Sequence, residues 1–427
     1  MTSRFSNKIF KPTTVLFSCL TVTGMFISYF LKKQFSLLQY QFGKETLVLF
    51  ILTSLAAAYL IICSYFRKLE YKDLILTLLL YLFTLLPLGN TLVNEVLPNP
   101  QEDFERYVQY AQNMIDQGTL WGGDEIRFPD RGKAYITQPG YRYFVAAELL
   151  IFGKLYRYVS IVNLMFFLIA FFYLVKFIPK IIEHKKLQSL TSIFVLLTVP
   201  YATKNILMGL TEWLVIVLLI CCLWLYHSKK LFPTIIILAF IPFIRQNLLP
   251  PVFVLLLLLC FQQQAKWKLY LLFTFILLLP VYHNLFYAGE FRFFTSIFKW
   301  PFIKYNDNSS AAGFDFFKLL NNLLHYVGFD ISKKPDFLEE SFHFLLLFIG
   351  LYFYWGRFLQ NRQLRFLYYV ITAVTVLIPT LLLATDFYPR FEFVNVYFVL
   401  AFFLVLYHIQ TQQKTDELLH QFYLKRK

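Results

Sequence analysis

The chain is built from a series of apolar blocks, each roughly 20 residues long and almost free of charged side chains. A helix of this length can cross about 30 Å of hydrocarbon. Hydrophobic residues make up 58% of the 427 positions, whereas soluble domains usually have about 45–50%. A soluble core cannot accommodate so many uniformly apolar helices. The sequence therefore predicts an all-α polytopic membrane protein.

We expect about 12 transmembrane helices, which form a single membrane domain over residues 1–427. Residues 231–262 leave two interpretations open, because Pro242, Pro250 and Pro251 interrupt them and proline breaks helices. They form either two short spans or one kinked span with a re-entrant piece. The predicted spans are 13–31, 46–66, 73–93, 158–178, 188–203, 208–226, 231–248, 250–262, 268–287, 341–358, 363–384 and 391–409.

The distribution of basic residues predicts the orientation. With both termini cytoplasmic, most Lys and Arg of the short loops fall on the cytoplasmic side, as the positive-inside rule requires. Two long loops, 94–157 and 288–340, then face outward. The net charge of +15 comes from these flanking residues and not from a basic domain, so we expect membrane lipids and no nucleic acid as partners. The predicted location is a bacterial inner (plasma) membrane.

The first long loop contains signals for two helices that lie flat at the membrane surface. Asn99 and Glu102 form a capping box around Pro100, which suits the first helical position. The helix that follows is polar with one apolar stripe, and Gly118 ends it. A second, shorter apolar helix opens at residues 138–141 (QPGY) and stops at Gly153. The apolar stripe of the first helix consists of Phe104, Tyr107, Val108, Ala111, Met114 and Ile115.

Residues 103–107 (DFERY), followed by Ala111 and Gly118, resemble the D-E-x-x-Y…A…G pattern of GT-C class membrane glycosyltransferases. Residues 138–141 (QPGY) and the later Phe152-Gly153 resemble the proline-containing segment that follows this pattern in the class. The resemblance covers roughly residues 73–250. The class includes protein O-mannosyltransferases, the aminoarabinose transferase of lipid A and enzymes of bacterial surface polysaccharide assembly.

The resemblance implies an inverting glycosyltransferase whose first outer loop carries the catalytic acid. Such enzymes take sugar from a polyprenyl-phosphate-linked donor, and the acceptor is a glycan, a lipid or a protein. Asp103 is then the general base that removes the proton of the acceptor hydroxyl as this oxygen attacks the anomeric carbon. Without the resemblance, Asp103 is better explained as a favourable charge at a helix start. Glu102 either completes the cap or replaces the second acid, because Phe104 occupies that place in the pattern.

Three further charged residues are candidates for the site. Glu212 stands at the outer start of a predicted span, where an acid is costly and usually functional; it is a third catalytic candidate, or else a carboxylate reaching toward water. Arg245 and Arg390 are suited to bind the donor phosphate through paired hydrogen bonds. Each arginine is otherwise a topology anchor or part of a local salt bridge.

The sequence predicts no nucleotide, and it leaves metal dependence open. No Gly-rich phosphate loop is present, and the seven histidines have no zinc-site spacing. The five cysteines all lie in apolar blocks, which excludes a disulfide framework in the loops. Since the second acid of the pattern is Phe104, it stays open whether a divalent ion such as Mg²⁺ or Mn²⁺ takes part.

Two other functions remain as alternatives. A polysaccharide polymerase or ligase is chemically close to a glycosyltransferase and fits the same loop. A transporter or flippase of lipid-linked glycans usually buries ionisable groups at mid-membrane and is built from repeated halves. The chain has no internal repeat, and its charged residues lie near the ends of the predicted spans. These features favour catalysis at the membrane surface.

Overall fold

A computed structural model describes a little over half of the chain. The residues described are 102–118, 120, 139–153, 159–197, 202, 206, 209–245, 248–262, 267–288, 303–305, 311–314, 352–382 and 389–426. The predicted spans 13–31, 46–66 and 73–93 lie outside these ranges, as does much of the two predicted outer loops.

The described residues are helical except for one two-stranded hairpin, so the predicted helical fold is confirmed for this part of the chain. Residues 352–358 form a further short helix. The elements are α1 (Glu102–Gln117), α2 (Pro139–Phe152), α3 (Val159–Ile181), α4 (Lys185–Leu197), α5 (Glu212–His227), α6 (Leu231–Ile244), α7 (Leu249–Gln262), α8 (Trp267–Leu277), α9 (Leu279–Ala288), β1 (Ile303–Tyr305), β2 (Ala311–Phe314), α10 (Arg362–Leu382) and α11 (Pro389–Arg426).

The helices fall into two compact units. In the described residues, α3 and α4 belong to the first unit, and α1, α2 and everything from Thr211 onward belong to the second. In the second unit, α1 packs on α2, α2 packs on α6, and α5 packs on both α6 and α11. Helix α11 also packs on α7 and α10. The site described below lies entirely in this second unit.

Two stretches within the described residues are long and apolar enough to cross a membrane, Val162–Ile181 and Val394–Thr415. Four other apolar helices have 10–17 residues each. Prolines account for part of this shortness, since Pro280 follows the break between α8 and α9. The total of about 12 spans therefore remains a prediction.

Residues 231–262 are divided into two helices, and whether each of them crosses the membrane stays a prediction. These two helices are α6 and α7, with Arg245 in extended conformation after the end of α6 (φ −140°, ψ 96°). Pro250 lies in the first turn of α7, where a proline disrupts no hydrogen bond. The chain therefore breaks at the polar residues that follow Ile244.

Helices α1 and α2 confirm that residues 94–157 contain two helices, whereas their position flat at the membrane surface stays a prediction. Helix α1 ends at Gln117 and is followed by Gly118 with φ +60°. Helix α2 ends at Phe152 and is followed by Gly153 with φ +50°. Both glycines adopt the left-handed conformation that commonly ends helices and that other residues adopt only with strain.

The hairpin of β1 and β2 was not predicted. Ile303 pairs with Phe314, and Lys304 pairs with Gly313, in an antiparallel arrangement. The residues that join the strands, 306–310, have the sequence NDNSS. Such a run of Asn, Asp and Ser is typical of a turn between two strands, so the sequence does contain a signal for this hairpin within the predicted loop 288–340.

Candidate functional site

Helices α5 and α6 form a tight antiparallel hairpin. The chain turns at Ser228, Lys229 and Lys230, where Lys229 has a left-handed backbone (φ 59°). The backbone N–H of Lys230 donates to the carbonyl of Leu225 at 2.9 Å. The hydroxyl of Thr234 donates to the carbonyl of Lys230 at 2.7 Å, which fixes the start of α6. The hairpin therefore brings the start of α5 next to the end of α6.

Glu212 and Arg245, both predicted from sequence as site residues, form a buried ion pair at this end. Arg245 Nη2 lies 3.0 Å from Glu212 Oε1, and the two side chains are 7% and 1% exposed. Thr211 Oγ1 donates a hydrogen bond to Glu212 Oε2 at 3.3 Å. Glu212 precedes Lys229 by 17 residues and Arg245 follows it by 16, so the symmetry of the hairpin itself places the two charges opposite each other.

The helix dipoles favour both charges of the pair. Glu212 is the first residue of α5, where the partial positive charge of a helix start stabilises a carboxylate. Arg245 caps the end of α6, and its backbone N–H donates to the carbonyl of Ile241; the partial negative charge of a helix end stabilises its guanidinium. We call this region of the second unit, defined by Glu212 and Arg245, the ion-pair end.

The buried Asp, Glu, Lys and Arg side chains of the described residues are four in number: Arg142, Glu148, Glu212 and Arg245. They divide between α2 and the ion-pair end. Arg142 is 1% exposed, and its guanidinium carbon lies 4.2 Å from the centre of the Tyr110 ring on α1. Such charges are rarely fully buried, and their concentration in one region is typical of a functional site.

Helix α2 packs directly onto the ion-pair end. Phe144 contacts Trp213, the neighbour of Glu212, with ring centres 5.7 Å apart. Tyr143 contacts Phe243 at 5.7 Å and His283 of α9 at 5.8 Å. Helix α1 is attached in turn, since it packs on α2. The two helices of the first long loop thus cover the end of the bundle at which the buried ion pair lies.

Gly140 allows the close approach of α2 to α6. A Cβ atom at this position would lie 2.5 Å from Phe243 Cδ1 and 3.0 Å from the carbonyl oxygen of Phe243. The ring can move, but the carbonyl belongs to the end of α6 and cannot move without shifting that helix. The glycine of the QPGY segment is therefore required by packing, and α2 would separate from α6 if it carried a side chain.

We expect Gly140→Ala to lower the free energy of unfolding by about 1–3 kcal/mol, the usual cost of overpacking. Thermal unfolding of the purified protein in detergent micelles measures this change. Ala147→Ser is the matched control, because it adds one heavy atom at an exposed position of the same helix and should change stability by less than about 0.5 kcal/mol. Equal stability of the Gly140→Ala protein and the wild type would contradict this account of α2 packing.

The remaining predicted site residues are placed by their backbone. Glu102 and Asp103 lie in the first turn of α1, and Arg390 lies in the first turn of α11; the predicted cap at Asn99 and Pro100 lies outside the described residues. The side chains of Glu102, Asp103 and Arg390 lie outside the described part of the structure. Arg142 was missed by the sequence analysis, although a lone arginine within the apolar helix 139–152 is a signal for a functional residue.

The start of α11 lies at the same end of the second unit as Glu212. The rings of Tyr226 and His408 are 6.1 Å apart, which fixes the level of α5 against α11. Residues 394–407 of α11 are buried, whereas 412–415 are exposed, and α5 is most buried over residues 212–216. The buried part of each helix therefore precedes this contact, so the helices run parallel. Arg390 precedes His408 by 18 residues, so its backbone lies toward the end of α11 that is level with the start of α5.

No group of three or more His, Cys, Asp or Glu side chains that could hold a metal ion occurs among the residues whose placement is described. Comparison of the chain with protein-family models, with curated proteins and with solved structures finds no match. The buried charges of the site and the glycosyltransferase-like pattern of residues 103–153 are therefore the features of the chain that bear on its function.

Proposed function

We propose that the protein is a membrane glycosyltransferase of GT-C type that transfers a sugar from a polyprenyl-phosphate-linked donor to an acceptor on the outer face. One observation carries this proposal. The two helices of the loop with the glycosyltransferase-like pattern pack against the end of the helix bundle that holds the Glu212–Arg245 ion pair. A loop folded over a buried pair of charges is a reasonable place for transfer at a membrane surface.

In this proposal Asp103 is the general base, and Arg390 and Arg245 bind the donor phosphate. A guanidinium carries five N–H donors, so Arg245 can face Glu212 and still donate to a phosphate oxygen. Glu212 then positions Arg245, because a carboxylate that pairs with a guanidinium fixes the orientation of the guanidinium. Phosphate is already a good leaving group, so one carboxylate in contact with the acceptor hydroxyl is enough for the proton transfer.

A membrane location is supported by the exposed apolar side chains of the described helices. Phe286 is 81% exposed, Phe366 70% and Trp267 66%. Soluble proteins rarely expose many large apolar side chains together, whereas lipid covers such surfaces. Together with the two helices long enough to span, this supports an integral membrane protein. Cytoplasmic termini are proposed from the distribution of basic residues, and a bacterial inner membrane is proposed from the resemblance to enzymes of bacterial surface polysaccharide assembly.

The proposal is tested by release of the donor lipid. Protein reconstituted in lipid nanodiscs is incubated with polyprenyl phosphates that carry different labelled sugars, together with a membrane extract as the source of acceptor. A glycosyltransferase releases free polyprenyl phosphate and labels an acceptor. Movement of an intact glycolipid across sealed vesicles without release would indicate a flippase, and transfer of a whole oligosaccharide would indicate a ligase; either result would replace the proposal.

The orientation is tested by cysteine labelling. An introduced cysteine at Asn306, in the predicted outer loop 288–340 and outside the described residues, should react with a membrane-impermeant maleimide in intact cells. A cysteine at Lys229, in the exposed turn between α5 and α6, should react only after the membrane is permeabilised. The opposite pattern would show that the predicted orientation is inverted.

A further inference from the structure

Arg142 on α2 and Tyr110 on α1 form a buried contact between the two helices of the first long loop. The guanidinium carbon of Arg142 lies 4.2 Å from the centre of the Tyr110 ring, and both residues are 1% exposed. A guanidinium is attracted to the face of an aromatic ring, and the attraction is strongest where water is excluded. The contact therefore attaches α1 to α2 through a directed interaction as well as through apolar packing.

A second contact joins the same two helices one turn away. Tyr107 precedes Tyr110 by three residues, and its ring meets that of Tyr141, the neighbour of Arg142, with centres 4.9 Å apart and an interplanar angle of 81°. Residues three apart lie on one side of a helix, so both contacts belong to one face of α1. Together they fix the position of α1 along α2 and its rotation about its own axis.

Helix α2 is in turn held against α6. Gly140 allows the close approach of the two helices, and the rings of Tyr143 and Phe243 have their centres 5.7 Å apart. Arg142 lies between Gly140 and Tyr143 in sequence. The orientation of α1 is therefore set, through α2, by the helix that ends at Arg245.

An arginine at position 142 is costly if packing is its only task. Arginine is almost never fully buried, and an apolar side chain of similar length, such as methionine, fills comparable space without removing a charge from water. Arginine adds a planar guanidinium that stacks on a ring in a defined geometry. This favours one arrangement of α1 on α2 over its neighbours, which is needed where a reacting group has to be placed accurately.

Helix α1 also carries Asp103, the proposed general base, in its first turn. Asp103 precedes Tyr110 by seven residues, or two helical turns, so the two backbone positions lie on the same side of α1 and about 10 Å apart. A general base acts only within hydrogen-bond distance of the proton that it removes. A displacement of about 1 Å can lower the rate by about 10²-fold.

We propose that Arg142 is a positioning residue for the transfer reaction. Its guanidinium holds Tyr110, and with it α1, in the orientation that brings Asp103 to the acceptor hydroxyl. This inference rests on the proposed function and deepens it, because it assigns a task to a buried arginine that neither the base nor the phosphate ligands account for. Since Arg142 acts through α1, loss of its contact should lower kcat and leave the KM of the donor unchanged.

The first test measures kcat and the donor KM in nanodiscs with the labelled polyprenyl-phosphate sugar that the wild type uses. Arg142→Met keeps the length of the side chain and removes the guanidinium, and it should lower kcat about 10- to 100-fold with the donor KM within about twofold of wild type. Tyr110→Leu should have the same effect, because it removes the ring. The double variant should be no slower than the slower single variant, since groups that act as a unit are not additive.

Conservative and control variants separate this contact from a general effect on folding. Arg142→Lys keeps a cation over the ring and Tyr110→Phe keeps the ring, so each should restore kcat to within about fivefold of wild type. Arg357→Met and Tyr282→Leu make the same chemical changes at exposed positions of the second unit and should leave kcat unchanged. Where Arg142→Met does not fold, the comparison of Tyr110→Phe with Tyr110→Leu decides the question.

A second test measures the position of α1 and does not depend on activity. Spin labels at Gln112 on α1 and Ala147 on α2, both exposed, report the distance between the two helices by double electron–electron resonance in a cysteine-free background. Arg142→Met and Tyr110→Leu should broaden the distribution of this distance. Arg142→Lys and Tyr110→Phe should leave it as narrow as in the wild type.

The possible results separate this inference from the proposed function. A lower kcat with an unchanged distance distribution, or a higher donor KM with an unchanged kcat, would show that Arg142 contacts the substrate and would overturn the positioning role. A broadened distribution with wild-type kcat would overturn it as well. A wild type that transfers no sugar defeats the proposed function, whereas the distance measurement still decides whether Arg142 holds α1 on α2.

Discussion

Asp103→Asn should lower the rate of sugar transfer by about 10²–10⁴-fold, the usual contribution of a general base. Asparagine keeps the size of the side chain and is compatible with the first turn of α1, so insertion and abundance should stay close to wild type. If Asp103 only favoured the helix dipole, the change would cost about 0.3–1 kcal/mol of stability and little activity. The measurement is transfer of labelled sugar in membranes, normalised to protein level.

Asp116→Asn on the same helix is the matched control. Asp116 is exposed and accepts a hydrogen bond from Gln112 at 2.8 Å, and it lies in the last turn of α1. This variant should retain activity within a few-fold of wild type. Comparable activity of both variants would remove Asp103 from the chemistry and with it most of the support for a catalytic role of α1.

Arg245→Met should reduce the free energy of unfolding by about 3–5 kcal/mol, because it removes the cation that faces a buried carboxylate. Glu212→Gln should reduce the free energy of unfolding by a similar amount, because it leaves the buried guanidinium of Arg245 without its carboxylate. The double variant Glu212→Gln/Arg245→Met should recover much of this loss, since no charge then remains at the ion-pair end. Thermal or denaturant unfolding of the four proteins gives the coupling free energy of the pair.

Arg362→Met is the control for the loss of an arginine. Arg362 is exposed at the start of α10, so its replacement should change stability by less than about 0.5 kcal/mol. If the Glu212 and Arg245 variants each cost less than about 1 kcal/mol and their effects simply add, the two charges are not coupled. Glu212 and Arg245 would then have to be excluded from the proposed site as a functional pair.

Local signals in the sequence predicted α1 and α2 well. The glycine after each helix and the apolar stripe of α1 act over a few residues, so they can be recognised without knowing the fold. The same local reasoning predicted the break between α6 and α7. It left open whether the chain reverses there or continues in the same direction, because a proline interrupts a helix in either case.

The pairing of Glu212 with Arg245 was not predicted, although both residues were selected. Each residue was selected for its place at the end of a predicted span. The signal for their pairing is their nearly equal distance in sequence from the turn at Lys229.

The ion pair also bears on how the chain enters the bilayer. In the proposed topology, Arg245 has to cross to the outer face against a membrane potential that opposes outward movement of a cation by about 2.3 kcal/mol per 100 mV. Glu212 lies earlier in the chain and reaches that face first. Its carboxylate is therefore present as a counter-ion before Arg245 crosses the membrane. The order of these two residues along the polypeptide thus favours completion of the α5–α6 hairpin during biosynthesis, before any substrate is bound.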